Sequence, residues 1–299
     1  MLVAPPSGGR ATGGFLVNRE LSRADAVTAR DAATPAGLTR VIREASSGQP
    51  VVVDSLYLFD DATAAVLARE ARDRPLVLLA HTLPSLLPEG PIDRRRSWLA
   101  TEREFLAGAA GAIAPSTFMA GALARRGLDR SRCRIVAPAP ICDGRRIGIA
   151  AHGTGTAPES AEATGRPAGT EPHLLTVANW SPSKGILEAA RALAELGDLP
   201  WRWTIAGHRY DEDSYANRTR EILERTPHRE RTTAVPATPP EKLTPYYREA
   251  QIFLLPSYME SYGLVYAEAL SHGVPVVAYA AAAVPSIVAD AGCLVSPGS

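Results

Sequence analysis

Short runs of β-branched and aliphatic residues alternate with alanine-rich amphipathic stretches along almost the whole chain. Apolar runs of that kind, joined through helices, fit parallel strands covered on both faces, so the chain reads as an α/β protein of stacked βαβ units. In the first half strands are expected at 1–4, 51–53, 76–80, 111–114 and 134–136, with helices at about 18–30, 62–72, 97–109 and 117–127. The last four of these strands end at Asp54, His81, Pro115-Ser116 and Pro138. The carboxyl ends of parallel strands form the ligand-facing edge of such a sheet.

From about Asp143 to Pro172 the composition turns to Ala, Gly, Thr, Glu and Pro, with almost no large apolar residue after Ile149. A segment of this kind cannot build a core and reads as a flexible linker, which at this length marks a domain boundary. The division expected is a first Rossmann-like domain at 1–142, a linker at 143–171 and a second Rossmann-like domain at 172–299. The second half restarts with a strand at 173–178, then a helix at about 184–196, a strand at 201–207 and a helix near 213–225. A strand near 232–235, a helix at about 241–249 and the apolar run 252–256 follow.

With 299 residues the chain is long enough for two domains that each bury a core. Lys plus Arg and Asp plus Glu number 32 each, so no global field draws the protein to nucleic acid. The run Arg94-Arg95-Arg96-Ser97-Trp98 reads as a solvated helix start, or as a patch for a membrane surface or a phosphorylated acceptor. No apolar run approaches the roughly eighteen residues of a membrane helix, and the N-terminus lacks the basic start and apolar core of a signal peptide. A cytoplasmic protein is expected, with peripheral contact at the inner membrane face left open. Cys133, Cys142 and Cys293 form no Cys-x-x-Cys pair and the six histidines no ligand cluster, so neither a disulfide framework nor a metal is indicated.

The chemistry concentrates after residue 252. Ile252-Phe253-Leu254-Leu255-Pro256 leads into Glu260-Ser261-Tyr262-Gly263-Leu264-Val265-Tyr266-Ala267-Glu268, a strand, a turn and a helix start. In an open parallel sheet this is where a nucleotide or its phosphates bind. Glu260 falls in the turn, backbone N–H groups of Ser261 to Leu264 face a phosphate or sugar hydroxyl, and Glu268 reaches ribose hydroxyls as an ionised acceptor. Two carboxylates at this spacing also occur on ordinary solvated helices; the attached strand and the turn Gly273-Val274-Pro275 argue for a site.

The stretch from Glu260 to Glu268 resembles the Glu-x7-Glu signature of retaining glycosyltransferases of family 4, which have the GT-B fold. Residues 268–278 are similar to that family's helix, Gly-x-Pro turn and buried strand. The resemblance implies two Rossmann-like doubly wound domains facing a central cleft. It also implies a nucleotide diphosphate sugar as donor substrate, no cofactor, and a hydroxyl acceptor that is a glycan, a lipid-linked glycan or a small molecule. In the loop Val177 to Gly185, Lys184 matches a lysine directed at the donor diphosphate, while Asn179 stands where an arginine is usual. Gly207, at the end of a strand, matches a glycine that lets the backbone approach the nucleotide base. Gly8 and Gly9 belong to a segment similar to the glycine-rich loop after the family's first strand. His81 takes the position of a histidine that contacts the transferred sugar; a structural histidine is the alternative. Asp54 either accepts from acceptor hydroxyls or caps its turn, and Ser116 reads as mainly structural.

Two departures from the family pattern stand out. Ala281-Ala282-Ala283-Val284-Pro285-Ser286 replaces a Gly-Gly-x-Pro-Glu segment, removing glycine freedom and a carboxylate. Family relatives also carry further helices beyond the segment Gly292 to Ser299, so a short form or a truncated piece is expected. The function implied is retaining, metal-independent glycosyl transfer, with Glu260, Lys184 and His81 as the catalytic candidates. Ser261, Tyr262, Gly263, Leu264, Glu268, Asn179, Gly207, Gly8 and Gly9 are the donor-binding candidates. A non-catalytic nucleotide-sugar-binding protein and a sugar-nucleotide epimerase of the same fold are the alternatives.

Overall fold

Strand order carries the information that matters for the site. The structure, a computed structural model, describes residues 1–7, 13–46, 48–88, 91–142, 145–146, 171–209, 214–225 and 228–298. It divides into two units, Met1–Pro138 and Ala139–Ser299. Gly8, Gly9 and most of the expected linker lie outside the described residues.

In the first unit β1 (Leu2–Ala4), β2 (Ala29–Asp31), β3 (Val51–Asp54), β4 (Leu76–Leu79), β5 (Gly111–Ala114) and β6 (Cys133–Ile135) make one parallel sheet in the order β2-β1-β3-β4-β5-β6. Helices α1 (Gly13–Leu21), α2 (Pro35–Glu44), α3 (Asp61–Asp73), α4 (Ile92–Gly108) and α5 (Thr117–Ala124) connect the strands. Because β1 is followed by β2 on one side and paired with β3 on the other, the order reverses between β1 and β3. Above their carboxyl ends lies the crevice that such sheets use for ligands.

The expected helix at 18–30 is corrected: the helix is Gly13–Leu21, and the chain then turns into strand β2. All three residues of β2 are exposed, so no apolar pattern announces this edge strand. Helix α2 was also unforeseen, although Thr34 accepts from the Gly37 N–H at 3.1 Å and Pro35 opens the first turn, a standard helix start. The basic run 94–96 lies in the first turns of α4, where Arg94 Nη1 donates to Asp61 Oδ2 at 2.8 Å and its guanidinium sits 5.2 Å from the Trp98 ring.

The second unit begins with a short antiparallel ribbon, β7 (Ile141–Cys142) with β8 (Arg145–Arg146). Its parallel sheet contains β9 (His173–Val177), β10 (Arg202–Ala206), β11 (Thr232–Val235), β12 (Ile252–Leu255), β13 (Val276–Tyr279) and β14 (Gly292–Val295) in the order β11-β10-β9-β12-β13-β14. The helices are α6 (Ile186–Glu195), α7 (Ser214–Leu223), α8 (His228–Arg231), α9 (Thr244–Glu249), α10 (Leu264–Ser271) and α11 (Val284–Val288). Here the order reverses between β9 and β12, with two strands to one side of β9 and three to the other.

One face of this sheet packs Trp180, Ile186, Leu193, Trp203 and Ile205; the other packs Tyr247, Phe253, Leu255, Tyr266 and Val284. Residues 292–295, read from sequence only as a tail, pair with β13 as a sixth strand. Gly292 permits that pairing, since a Cβ there would lie 2.4 Å from the Val276 carbonyl oxygen. No helix among the described residues is long and apolar enough to cross a membrane.

Candidate active site

The loop after β9 is fixed by a buried aromatic residue. Trp180 is sunk in the core, and a 3₁₀ turn over Pro182–Lys184 leads to Gly185, whose φ of 66° starts α6. A Cβ on Gly185 would lie 2.1 Å from the Pro256 carbonyl oxygen, so only glycine lets this loop meet the loop after β12 backbone to backbone. The Tyr258 N–H donates to the Ser183 carbonyl at 2.8 Å and locks the same approach. Lys184 is thereby laid over the second loop. Its Nζ donates to Glu260 Oε1 at 2.7 Å, and Ser257 Oγ donates to that same oxygen at 3.0 Å. The two charged side chains are 27% and 11% exposed, so the pair is partly withdrawn from water yet open to a ligand.

Beyond Glu260 the chain reaches Gly263, whose φ of 103° makes it the left-handed residue preceding α10. A Cβ there would press on the Tyr266 ring at 2.7 Å; Tyr266 is buried and donates its hydroxyl to the Leu255 carbonyl at 2.8 Å. Ser261 and Tyr262 therefore precede the helix, and Leu264 opens it. The first N–H groups of a helix lack intrahelical partners and carry partial positive charge. Glu268, the fifth residue of α10, is 7% exposed and accepts from Tyr247 of α9 at 2.9 Å through Oε2. Burial, and after it the negative charge and hydrogen bond of Glu268, push the Tyr247 hydroxyl far above the ordinary tyrosine range, so it remains a donor. The Tyr247 ring stacks on His272 at 5.1 Å. Glu260 and Lys184 are thus joined directly, while Glu268 is held separately by a partner that sequence reading missed.

Asn179 and Gly207 are engaged with the protein. The Asn179 Oδ1 accepts from the His208 N–H at 3.1 Å, and the Trp180 N–H donates to the His208 carbonyl at 2.9 Å. Gly207 brings the β9 and β10 loops so close that a Cβ on it would lie 1.8 Å from the Ala178 carbonyl oxygen. In the segment read as a departure, Ala282 adopts a left-handed φ of 51°, Ala283 N–H donates to the Glu260 carbonyl at 3.2 Å, and Ser286 Oγ donates to the Ala283 carbonyl at 2.7 Å. The alanine segment therefore braces the Glu260 turn through its backbone.

In the first unit Asp54, at the end of β3, is fully buried. Its Oδ1 accepts from the Leu56 N–H at 2.7 Å, capping the 3₁₀ turn Ser55–Phe59, and its Oδ2 accepts from Asn18 Nδ2 of α1. The Asn18 Oδ1 lies 2.9 Å from Nε2 of His81, which itself lies 3.8 Å from Asp54 Oδ2. Burial pushes the Asp54 carboxyl up, opposed by His81 and by the Leu56 and Asn18 hydrogen bonds. Burial pushes His81 down, opposed by the nearby Asp54 charge. Ser116 accepts from the Met119 N–H at 3.1 Å as a helix cap. A second buried set, absent from the sequence reading, fixes the loop after His81: Glu102 accepts from Ser85 N–H and Oγ at 2.9 and 2.6 Å and from Arg126 Nε at 2.5 Å. Among the described residues no group of three or more His, Cys, Asp or Glu is arranged to hold a metal ion.

Comparison with known proteins agrees with the two-sheet architecture. Residues 3–139 match the family model described as Glycosyltransferase Family 4, and residues 171–299 the one described as Glycosyl transferases group 1. A D-inositol 3-phosphate glycosyltransferase of Xylanimonas cellulosilytica is 28% identical over 85% of this chain and 61% of its own length. Its counterpart in Nocardia farcinica is 33% identical over 69% of this chain and 47% of its own length. The chain thus spans only about half to three fifths of these curated relatives. Among solved structures, Anabaena HepE in complex with UDP-glucose superimposes with a TM-score of 0.68 at 18% identity, covering 100% of this chain and 86% of that one. Sucrose-phosphate synthase of Thermosynechococcus elongatus gives 0.65 at 22% identity, covering 93% and 69%. Two six-stranded parallel Rossmann-like sheets, one matched by each family model, make this chain a member of the GT-B glycosyltransferases.

Proposed function

We propose that the protein transfers a glycosyl group from a nucleoside diphosphate sugar to a hydroxyl acceptor, with retention of anomeric configuration and without a metal. The observation that carries this reading is the Lys184–Glu260 pair where the strand order of the second sheet reverses, beside the start of α10. An ammonium and helix-start amides are the groups that stabilise a departing diphosphate by preorganised charge. As the donor enters, Lys184 exchanges Glu260 for phosphate oxygens, and Glu260 accepts from hydroxyls of the donor sugar. Glu268 accepts from the nucleotide ribose, its orientation set by Tyr247. Asn179 brings no charge to the diphosphate, which shifts that load to Lys184 and the α10 amides. The bond from the anomeric carbon to the phosphate oxygen breaks, the acceptor oxygen bonds to that carbon on the same face, and its proton passes to the departing phosphate oxygen.

The names of the relatives suggest where to begin. HepE was solved with UDP-glucose, and the curated relatives are named for D-inositol 3-phosphate. The test is a thermal-shift screen of nucleotide sugars starting with UDP-glucose, then mass spectrometry of reactions offered D-inositol 3-phosphate and other hydroxyl acceptors, with EDTA present. Protection by at least one nucleotide sugar is expected. Lys184→Ala and Glu268→Ala should each weaken it about 10- to 100-fold, the value of one charged hydrogen bond. Unchanged protection in both variants rejects the assignment; protection without product identifies a binding protein instead. An inverted product by NMR rejects retention.

A further inference from the structure

Three side chains at the carboxyl edge of the first sheet form a chain whose hydrogen-bond directions are set from one end. Asp54 is an acceptor when ionised, and its Oδ1 already accepts the Leu56 N–H at 2.7 Å. Its Oδ2 therefore requires a donor, which is the Nδ2 of Asn18. That choice turns the Asn18 Oδ1, an acceptor, toward His81 Nε2 at 2.9 Å. The imidazole nitrogen facing it must carry the proton. We infer that Asn18 is a positioning residue that holds His81 as its Nε2–H tautomer, leaving Nδ1 as an acceptor for a hydroxyl of a molecule bound at this edge of the first sheet. This rests on the proposed glycosyl transfer for the identity of the hydroxyl, though not for the tautomer.

The surroundings are built for that task. Asn18 is 6% exposed, so the amide is held away from competing water. Gly14 lies one turn earlier on the same face of α1, and a Cβ there would lie 3.1 Å from His81 Cγ; its absence lets α1 lie close against the ring. The backbone after His81 is tied to the same strand end, because the Thr82 N–H donates to Ser55 Oγ at 3.2 Å. No described residue hydrogen-bonds His81 Nδ1. Asp54 is the carboxyl group that faces the ring, and burial keeps the imidazole below its ordinary pKa, so the ring is neutral and its second nitrogen accepts. A neutral imidazole with one nitrogen engaged by a fixed acceptor has one tautomer available; rotating the amide would set Nδ2 toward His81 and Oδ1 toward Asp54, which works only if Asp54 is protonated.

The test reads the tautomer directly. Two-bond nitrogen–proton correlation spectra of the full chain, labelled at histidine, separate Nε2–H from Nδ1–H rings, and His81→Gln identifies the signal. Wild-type protein at pH 7.5 is expected to show His81 as Nε2–H. Asn18→Leu, which keeps the volume and loses the amide, should mix the tautomers and lower kcat about 10- to 100-fold, the penalty of a misdirected group. Asn18→Gln, whose amide is displaced by one methylene, should fall between the two. An Nδ1–H ring in the wild type overturns the inference, and this measurement stands even if Asn18→Leu does not fold. An Nε2–H ring that persists in Asn18→Leu, or a kcat that does not move, overturns it as well. Because the spectra need no substrate, failure to find a transfer reaction counts against the proposed function and leaves the tautomer assignment to be judged separately.

Discussion

Replacing Gly207 with alanine should separate two loops rather than strain one residue. Gly207 is not among the positive-φ positions, so its backbone accepts alanine; what forbids the substitution is the Ala178 carbonyl oxygen, 1.8 Å from the Cβ that alanine would bring. Real Cβ atoms essentially never approach a heavy atom within 3.0 Å, so the loops must part by at least about 1.2 Å. Three hydrogen bonds span that gap: Ala178 N–H to the Ala206 carbonyl at 2.9 Å, Trp180 N–H to the His208 carbonyl at 2.9 Å, and His208 N–H to Asn179 Oδ1 at 3.1 Å. At about 1 kcal/mol each the loss is about 3 kcal/mol. For the about 130 described residues of this unit, with an unfolding entropy near 2 cal/mol/K per residue, Tm should fall by about 12 °C. Gly273→Ala is the control: Gly273 has φ +70° with nothing within 4 Å of its Cβ, so it costs backbone strain alone, about 1 kcal/mol and about 4 °C. Differential scanning calorimetry of both variants decides the matter. If Gly207→Ala loses no more than Gly273→Ala, the backbone-to-backbone account is wrong.

Two further outcomes follow from strain and from charge. Ala282→Gly should stabilise the second unit by about 0.5 kcal/mol, because relief of a left-handed alanine, about 1 kcal/mol, outweighs the extra unfolded-state freedom of glycine; a lower Tm refutes it. The Arg43 guanidinium, with hydrogen bonds of 3.0 and 2.9 Å, holds the Glu70 carboxyl below the usual carboxylate range. A depressed folded pKa gives stability that is present above the unfolded value and lost as pH falls through the folded one. Denaturant titrations should show the advantage of wild type over Glu70→Gln shrinking as pH drops below about 4.3; an advantage that grows on acidification contradicts this.

The α/β class was legible because the core strands are continuous apolar runs: β3 is Val51-Val52-Val53-Asp54 and β4 is Leu76-Val77-Leu78-Leu79. Strand β2 was not, since an exposed edge of three residues carries no burial signal. Glu260 could be named from its strand, turn and helix context and Lys184 from the family resemblance of its loop, but their 2.7 Å contact across 76 residues depends on β9 and β12 being sheet neighbours. Tyr247 and Asn18 escaped for the same reason. Each acts through a tertiary contact, 21 residues from Glu268 and 36 from Asp54, and neither sits in a pattern that announces a polar partner. The spacing of Gly14 and Asn18 on one helical face was the available hint, too common to weigh by itself. Asn179 shows the reverse, since its place in the loop was evident while its engagement with His208 was not.

The ion contact between Lys184 and Glu260 sets a requirement on any incoming molecule. An anion that captures the ammonium strips a largely sheltered carboxylate of its counter-charge, and that desertion carries a penalty unless the visitor also offers donors to Glu260. Under the proposed transfer, a nucleotide sugar brings phosphate oxygens to Lys184 and sugar hydroxyls to Glu260, whereas the bare nucleotide satisfies only the lysine. On that proposal the resting pair favours the loaded molecule over the spent one, a bias built in before any ligand arrives.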